Sequence, residues 1–391
     1  MVDFTNTEVS FRIRTKTELR KGKLLFSAIN HPLAVKGLAS LSELALRFRL
    51  PLGWIIKPTL YAQFVGGETL EEADSVAKKL SMHGVSSILD YSAEGKNDDD
   101  SIELCFQEIL SSIKFGDSRS YVAFAVFKPT GITKASILEK KSSGALMSAR
   151  EQEEYEKFVL RIDTLCSTAS QAGVPILVDA EDYCFQPAID EIVEVMMERY
   201  NSQQVAVYNT LQMYRADRLD YLKNLHARAK EKGFLVGAKF VRGAYMEKER
   251  RRAAELGYPS PINSTKEETD QLYDDALIYS MENREGISIF AGTHNEDSVR
   301  LLVELVYKYG LEPSDKRIWF SQLYGMSDNL SFNLAAEGFN VAKYLPYGPV
   351  KEVLPYLIRR AAENSSVAGQ STRELDLINS EIKRRKYSNQ W

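Results

Sequence analysis

Near the carboxyl end, the stretch Tyr344 to Asn364 reads Y-L-P-Y-G-P-V-K-E-V-L-P-Y-L-I-R-R-A-A-E-N. Taken as a helix after Gly348, it sets Tyr356, Arg359, Arg360 and Glu363 at spacings i, i+3, i+4 and i+7, which is one helical face. Val350, Leu354, Leu357 and Ala361 fall on the opposite face and can anchor the helix to a core. Two adjacent guanidiniums beside a phenol form a planar, bidentate receptor suited to a carboxylate. The R-R-x-x-E spacing alone more often marks a solvated charged face. The neighbouring tyrosines favour the receptor, since a solvated face gains little from aromatic rings.

Elements that could position this helix are visible upstream. From Gly84 onward, short apolar runs alternate with longer amphipathic stretches. The runs are Val85–Leu89, Tyr121–Phe127, Pro175–Val178, Val205–Tyr208, Phe234–Val241, Ile287–Ala291, Ile318–Ser321 and Phe339–Tyr344. Helix-length segments such as Gln152–Ala172, Ile189–Tyr200, Arg215–Lys232 and Glu296–Tyr309 lie between them. Continuous apolar strands alternating with helices indicate an α/β fold with a parallel sheet, and eight units indicate a (βα)8 TIM-like barrel. No G-x-G-x-x-G follows the first strand, which disfavours a Rossmann fold. The polar runs Glu94–Ser101 and Lys134–Lys157 read as surface loops or an excursion.

Before the barrel, Thr15–Arg20 carries a helix-capping pattern, and Leu24–Ile56 has helical apolar spacing interrupted by Pro32, Pro51 and Gly53. The expected organisation is a helical N-terminal arm over 1–78, a barrel over 79–370 and a charged, helix-like tail over 371–391.

In such a barrel the active site sits at the carboxyl ends of the strands. Those positions read D-Y-S-A-E (90–94), K-P-T (128–130), D-A-E-D (179–182), N-T-L-Q-M-Y (209–214), R-G-A-Y (242–245), G-T-H-N (292–295), Q-L-Y-G-M (322–326) and Y-L-P-Y-G (344–348). All eight are polar or aromatic. Lys128 or Lys239 could be a Schiff-base lysine of a lyase. Asp179, Glu181 and His294 could hold magnesium, although no metal site is assigned. His294 with Asn295, after small residues, suits a planar heterocycle or a phosphate. Lys239 and Arg242 around Gly243 suit a pyrophosphate.

Composition narrows the class. The 391 residues are 44% hydrophobic and 27% charged, as in ordinary globular proteins. A net charge of −4 gives no electrostatic case for nucleic acid. Cys105, Cys166 and Cys184 have no CxxC spacing, which suggests reduced thiols and no zinc site. No signal peptide and no membrane-spanning window are legible, so a cytoplasmic protein with peripheral membrane contact is expected, or a mitochondrial one if the chain is truncated.

The stretch from Tyr344 to Asn364 closely resembles the signature of the proline dehydrogenases, and V-D-A-E, L-Q-M-Y, F-V-R-G-A-Y, T-H-N and Q-L-Y-G-M agree in order over roughly Gly84 to Gly369. The resemblance implies a distorted (βα)8 barrel that binds FAD and oxidises L-proline to Δ1-pyrroline-5-carboxylate. Electrons pass to a membrane quinone, and a separate dehydrogenase takes the product. By position, Arg359 and Arg360 hold the proline carboxylate, and Tyr245, Leu323, Tyr344 and Tyr356 wall the ring. Lys128 lies beside the proline amine, and Asp179 and Lys239 are the catalytic candidates. FAD is held by Ala180, Gln212, Lys239, Val241, Arg242, Gly243, Tyr245, Thr265, Lys266, His294, Asn295, Gln322 and Glu363. Glu94 pairs with the first arginine in the empty site and gates access. Two departures stand out: Lys239 occupies a position that is often arginine, and Pro355 interrupts the first part of the last barrel helix, either within its opening turn or as a kink. A non-catalytic proline or flavin sensor is the alternative, but the DNA-binding segment that would mark it is missing from this sequence.

Overall fold

The computed structural model describes residues 2–29, 57–92, 98–366 and 370–388, with the backbone alone at 29, 361–366, 370 and 371. Eight parallel strands close a barrel in sequence order. They are β1 (Val85–Tyr91), β2 (Val122–Phe127), β3 (Ile176–Val178), β4 (Val207–Gln212), β5 (Val236–Val241), β6 (Ile287–Gly292), β7 (Ile318–Leu323) and β8 (Val341–Tyr347). The apolar runs become strands because helices cover them outside and side chains fill the barrel, leaving no polar face to satisfy. Residue-for-residue pairing runs from Val85↔Val341 to Tyr91↔Tyr347 and from Val236↔Ile287 to Phe240↔Ala291.

Helices α1 (Thr7–Ser10), α2 (Lys16–Ile29) and α3 (Leu70–Ser81) precede β1. Helix α4 (Asp99–Asp117) follows it, and α5 (Pro129–Ile132), α6 (Ala135–Ser143) and α7 (Ala149–Ala172) lie between β2 and β3. Then come α8 (Gln186–Tyr200), α9 (Arg218–Lys232), α10 (Met246–Leu256), α11 (Lys266–Glu282), α12 (Glu296–Lys308) and α13 (Asp328–Ala336). Helices α14 (Val350–Ser366) and α15 (Gln370–Tyr387) end the chain.

The chain divides into two compact units, residues 1–92 with 322–391, and residues 93–321. In the second, Phe124 packs edge-on against Tyr208, Phe290 and Trp319 at ring separations of 5.5, 5.0 and 5.1 Å. In the first, Phe11, Leu19, Phe26, Phe64, Val353, Leu354, Tyr356, Leu357 and Ile378 form one buried cluster. The capping pattern at Thr15 is realised, because Thr15 Oγ1 accepts from the Glu18 amide at 3.2 Å and Glu18 accepts from the Thr15 amide at 2.6 Å.

Several sequence boundaries shift. Lys134–Lys157 is mostly helical rather than loop, because Ser148 and Glu151 form a capping box that starts α7 at Ala149. Gly144 and Gly173, at φ 68° and 65°, end α6 and α7. Asp98 likewise caps α4, so Asp99–Ser101 is helix, while 94–97 lie outside the described residues. Asn209 to Gln212, expected beyond β4, belong to the strand, where Asn209 and Thr210 find buried partners in Asp190 and the Val178 carbonyl. Helix α14 runs through Pro355, which is exposed and past the opening turn. Of the arm over Leu24–Ile56, only Leu24–Ile29 is described, within α2. The charged stretch at the end is a packed helix: Ile378 of α15 is 4% exposed, a burial that stabilises by about 2 kcal/mol.

Candidate active site

In the unit 93–321, one carboxylate draws two strand-end cations together. Asp179, just past β3, accepts from Lys128 Nζ at 2.6 Å and from Lys239 Nζ at 2.5 Å. Lys128 follows β2, and Lys239 lies inside β5. Burial pushes the Asp179 carboxyl up, but the Lys128 and Lys239 ammoniums outweigh it and hold the group well below the usual carboxylate range. The triad therefore carries one net positive charge. Imine chemistry at either lysine would have to break these contacts first. Glu181, two residues on, accepts from the Thr130 amide at 2.7 Å and from its hydroxyl at 2.5 Å. That bond fixes the first turn of α5, directly after Lys128. Asp179 and Glu181 are thus committed to lysines and a threonine, and no cluster that could hold a metal occurs among the described residues.

Arg242 follows β5 and is pinned on three sides: Asp270 accepts from Nε at 2.6 Å, Thr293 from Nη1 at 2.6 Å and Ser298 from Nη2 at 3.0 Å. Its guanidinium also lies 4.5 Å from the centre of the Tyr273 ring. Asp270, Thr293 and Ser298 were not legible as site residues. Asp270 and Ser298 sit on helix faces, where strand-end logic does not look; Thr293 was in a quoted strand end but drew no role.

Gly243 has φ 129°, and a Cβ there would sit 2.5 Å from the Tyr214 ring, so only glycine fits. Gln212 closes β4 with its Oε1 buried and lacking a hydrogen-bond partner. Ala180 adjoins Asp179, Val241 ends β5, and Tyr245 immediately precedes α10. Thr265 caps α11 in a box with Glu268, and Lys266 opens that helix. Asn295 caps α12 by accepting from the Asp297 and Ser298 amides, with His294 just before it.

In the unit 1–92 with 322–391, Gln322 and Leu323 are the last residues of β7, and Gln322 Oε1 accepts from Ser331 Oγ at 2.7 Å. Tyr344 lies in β8, and its carbonyl accepts from the Tyr324 amide at 2.9 Å. On α14, Tyr356 is buried in the apolar cluster with Leu354 and Leu357 rather than on a wholly polar face. The Arg360 guanidinium lies 5.2 Å from the centre of its ring. Arg359 stands beside it, partly exposed. Glu94 and the side chains of Ala361 and Glu363 lie outside the described residues.

A family model for proline dehydrogenase matches residues 73–373. The chain belongs to the proline dehydrogenase family. It is 35% identical over 322 residues to a carbapenem antibiotics biosynthesis protein of Pectobacterium carotovorum subsp. carotovorum, covering 82% of this chain and 83% of that one. It is 33% identical to the mitochondrial proline dehydrogenase 1 of Dictyostelium discoideum, over 86% of this chain and 66% of that one. For the human mitochondrial proline dehydrogenase 1 the figures are 42%, 60% and 40%. The chain therefore spans less than half of the human relative's length. Among solved structures, proline utilization A of Bdellovibrio bacteriovorus inactivated by N-propargylglycine superposes with a TM-score of 0.72 at 20% identity, over 92% of this chain and 38% of that one. At that identity the likeness is one of fold.

Proposed function

We propose that this family member catalyses FAD-dependent oxidation of L-proline to Δ1-pyrroline-5-carboxylate and passes the electrons to a quinone. The observation that carries the reading is the Lys128–Asp179–Lys239 triad, a cationic site formed at the strand ends where this family's motifs lie. The rings and arginines of α14 and β8 add the chemistry that an amino-acid substrate needs.

The residues present suit a flavin. Gln212 offers a buried acceptor that lacks a donor. Arg242 has two guanidinium hydrogens beyond its three bonds to Asp270, Thr293 and Ser298. Ala180, Gln212, Lys239, Val241, Arg242, Gly243, Tyr245, Thr265, Lys266, His294, Asn295, Gln322 and Glu363 would hold FAD. When bound, FAD supplies the two-electron acceptor that no protein side chain offers.

Arg359 and Arg360 bind the proline carboxylate bidentately, and Tyr356 orients Arg360 from its ring face. Leu323, Tyr344, Tyr356 and Tyr245 exclude water from the ring. Lys128, held by Asp179, lies toward the amine, and its positive charge favours the neutral amine that must be present when hydride leaves the adjacent ring carbon. The amine proton is lost as the C=N bond forms. Lys239 places a cation where reduction develops negative charge.

No described helix is long and apolar enough to cross a membrane. For the quinone step the reading includes peripheral contact with an inner membrane, of a cytoplasmic or a mitochondrial protein, and a separate dehydrogenase that consumes the product. The test is turnover of purified protein with L-proline and a soluble quinone analogue. Equal amounts of Δ1-pyrroline-5-carboxylate and reduced quinone are expected, and failure to consume proline in flavin-loaded protein overturns the reading.

A further inference from the structure

Four ionisable side chains that none of the assignments above use meet inside the unit 1–92 with 322–391. Asp328, at the start of α13, accepts from Arg14 Nη2 at 3.0 Å and from Lys343 Nζ at 3.0 Å. Lys343 is fully buried in β8 beside Tyr344. It also donates to the Met326 carbonyl at 2.5 Å and to the Leu323 carbonyl at 3.5 Å. Glu374 reaches in from α15, 6% exposed, and accepts from the Ser327 amide at 2.5 Å.

These bonds converge on one turn, Leu323 to Ser327. Ser327 is the only non-glycine residue with positive φ among the described residues, at φ 48°. Such a conformation costs about 1 kcal/mol and persists only where neighbours enforce it. Gly325, at φ 81°, is wedged so that a Cβ would lie 2.0 Å from the Gln63 carbonyl oxygen, and its own carbonyl accepts from Gln63 Nε2 at 2.7 Å. The turn begins at Leu323 and returns to β8 through the Tyr324 amide bonded to the Tyr344 carbonyl. Docking a helix requires only an apolar seam, which Ile378 already supplies, and buried charges are weak sources of stability. Here the charges end on backbone groups of a turn that carries one proposed substrate wall and abuts another.

We propose that Glu374 of α15 is a positioning residue for the substrate ring: by holding the Ser327 amide within the Arg14–Asp328–Lys343 network, it fixes the Leu323–Ser327 turn and so sets the Leu323–Tyr344 wall. The proposal rests on the proline-oxidising reading for what that wall touches, but not for the turn itself. Burial, with the Asp328 carboxylate next, pushes the Glu374 carboxyl up to about 7, which marks a group held in place against its own preference for water.

The test compares flavin-loaded parent protein with Glu374→Ala and Glu374→Gln. The alanine variant is expected to raise KM for L-proline about fivefold, the worth of one lost hydrogen bond, with kcat within about twofold. The glutamine variant, whose amide oxygen still accepts from Ser327, is expected to restore most of the KM. Amide exchange over 323–327, which needs no substrate, is expected to quicken about tenfold in the alanine variant and to stay near parental in the glutamine one. If the alanine variant does not fold, Glu374→Asp, which is too short to reach Ser327, is expected to show the same changes. An unchanged KM in a protein that still oxidises proline, or a fall in kcat alone, overturns the assignment to the wall. Unchanged exchange overturns the latch. If the parent never reacts with proline the functional reading fails, while exchange still decides the latch.

Discussion

Lys239 Nζ lies 2.5 Å from Asp179 Oδ1, with both side chains buried. Lys128 approaches the other carboxylate oxygen, so a single anion separates two cations. Removing that anion leaves two like charges in a poorly solvated place. Asp179→Asn should therefore lower stability by about 3 kcal/mol in urea unfolding. Adding Lys239→Met should recover part of the loss, and additive losses would show that the two residues do not interact.

Protonation should act on stability in opposite directions at two carboxyls. Asp179 is depressed by its lysines, so its contribution is present above the ordinary carboxylate value near 4 and is lost as pH falls through the lower folded value. Glu374 is raised to about 7, so the fold keeps a proton that the unfolded chain releases. Its contribution therefore declines as pH rises from about 4.5 to 7, by a few kcal/mol at most. Glu374→Gln removes this dependence. The difference in unfolding free energy between the two proteins should move in the variant's favour across that window, and a flat difference would contradict the raised value.

Gly243 combines a left-handed φ with contact against the Tyr214 ring. Gly243→Ala should cost about 2–3 kcal/mol through strain and overpacking and should lower flavin occupancy after purification. Parental melting and a full flavin complement would show that the position tolerates a side chain.

Arg359→Met and Arg360→Met should each raise KM for L-proline by about 2 kcal/mol, roughly thirtyfold, as expected for a lost charged hydrogen bond. A KM near the parental value in both would remove the arginines from the carboxylate. Tyr344, crowding the ring, should keep kcat/KM for proline above that for hydroxyproline, and the reverse order would reassign the wall.

Much of this was legible because barrel strands buried on both sides read as continuous apolar runs, and the residues after them mark the site end. Asp179, Lys128 and Arg242 were found that way, whereas Lys239 lies inside the fifth run and stood out as a lysine within a barrel strand. What escaped lies where sequence separation hides contact. Asp270 and Ser298 grip Arg242 from helices, and Lys343 faces inward one residue before the tyrosine that drew attention. The charged, helix-like tail showed no function in its composition, and the burial of Glu374 and Glu381 within α15 emerges only from the packing. Polarity misled at Lys134–Lys157, where a capping box outweighs loop-like composition. Tyr356 shows that helical spacing assigns a face but not its surroundings: it shares the arginines' side and still packs with leucines.

The central claim is that this chain oxidises proline through a bound flavin. An anaerobic absorption spectrum of the purified protein, taken before and after adding L-proline, tests it most directly. A flavin spectrum that bleaches on addition is the predicted result. A protein that carries flavin and leaves its spectrum unchanged with proline, or that cannot be loaded with FAD, would contradict the account.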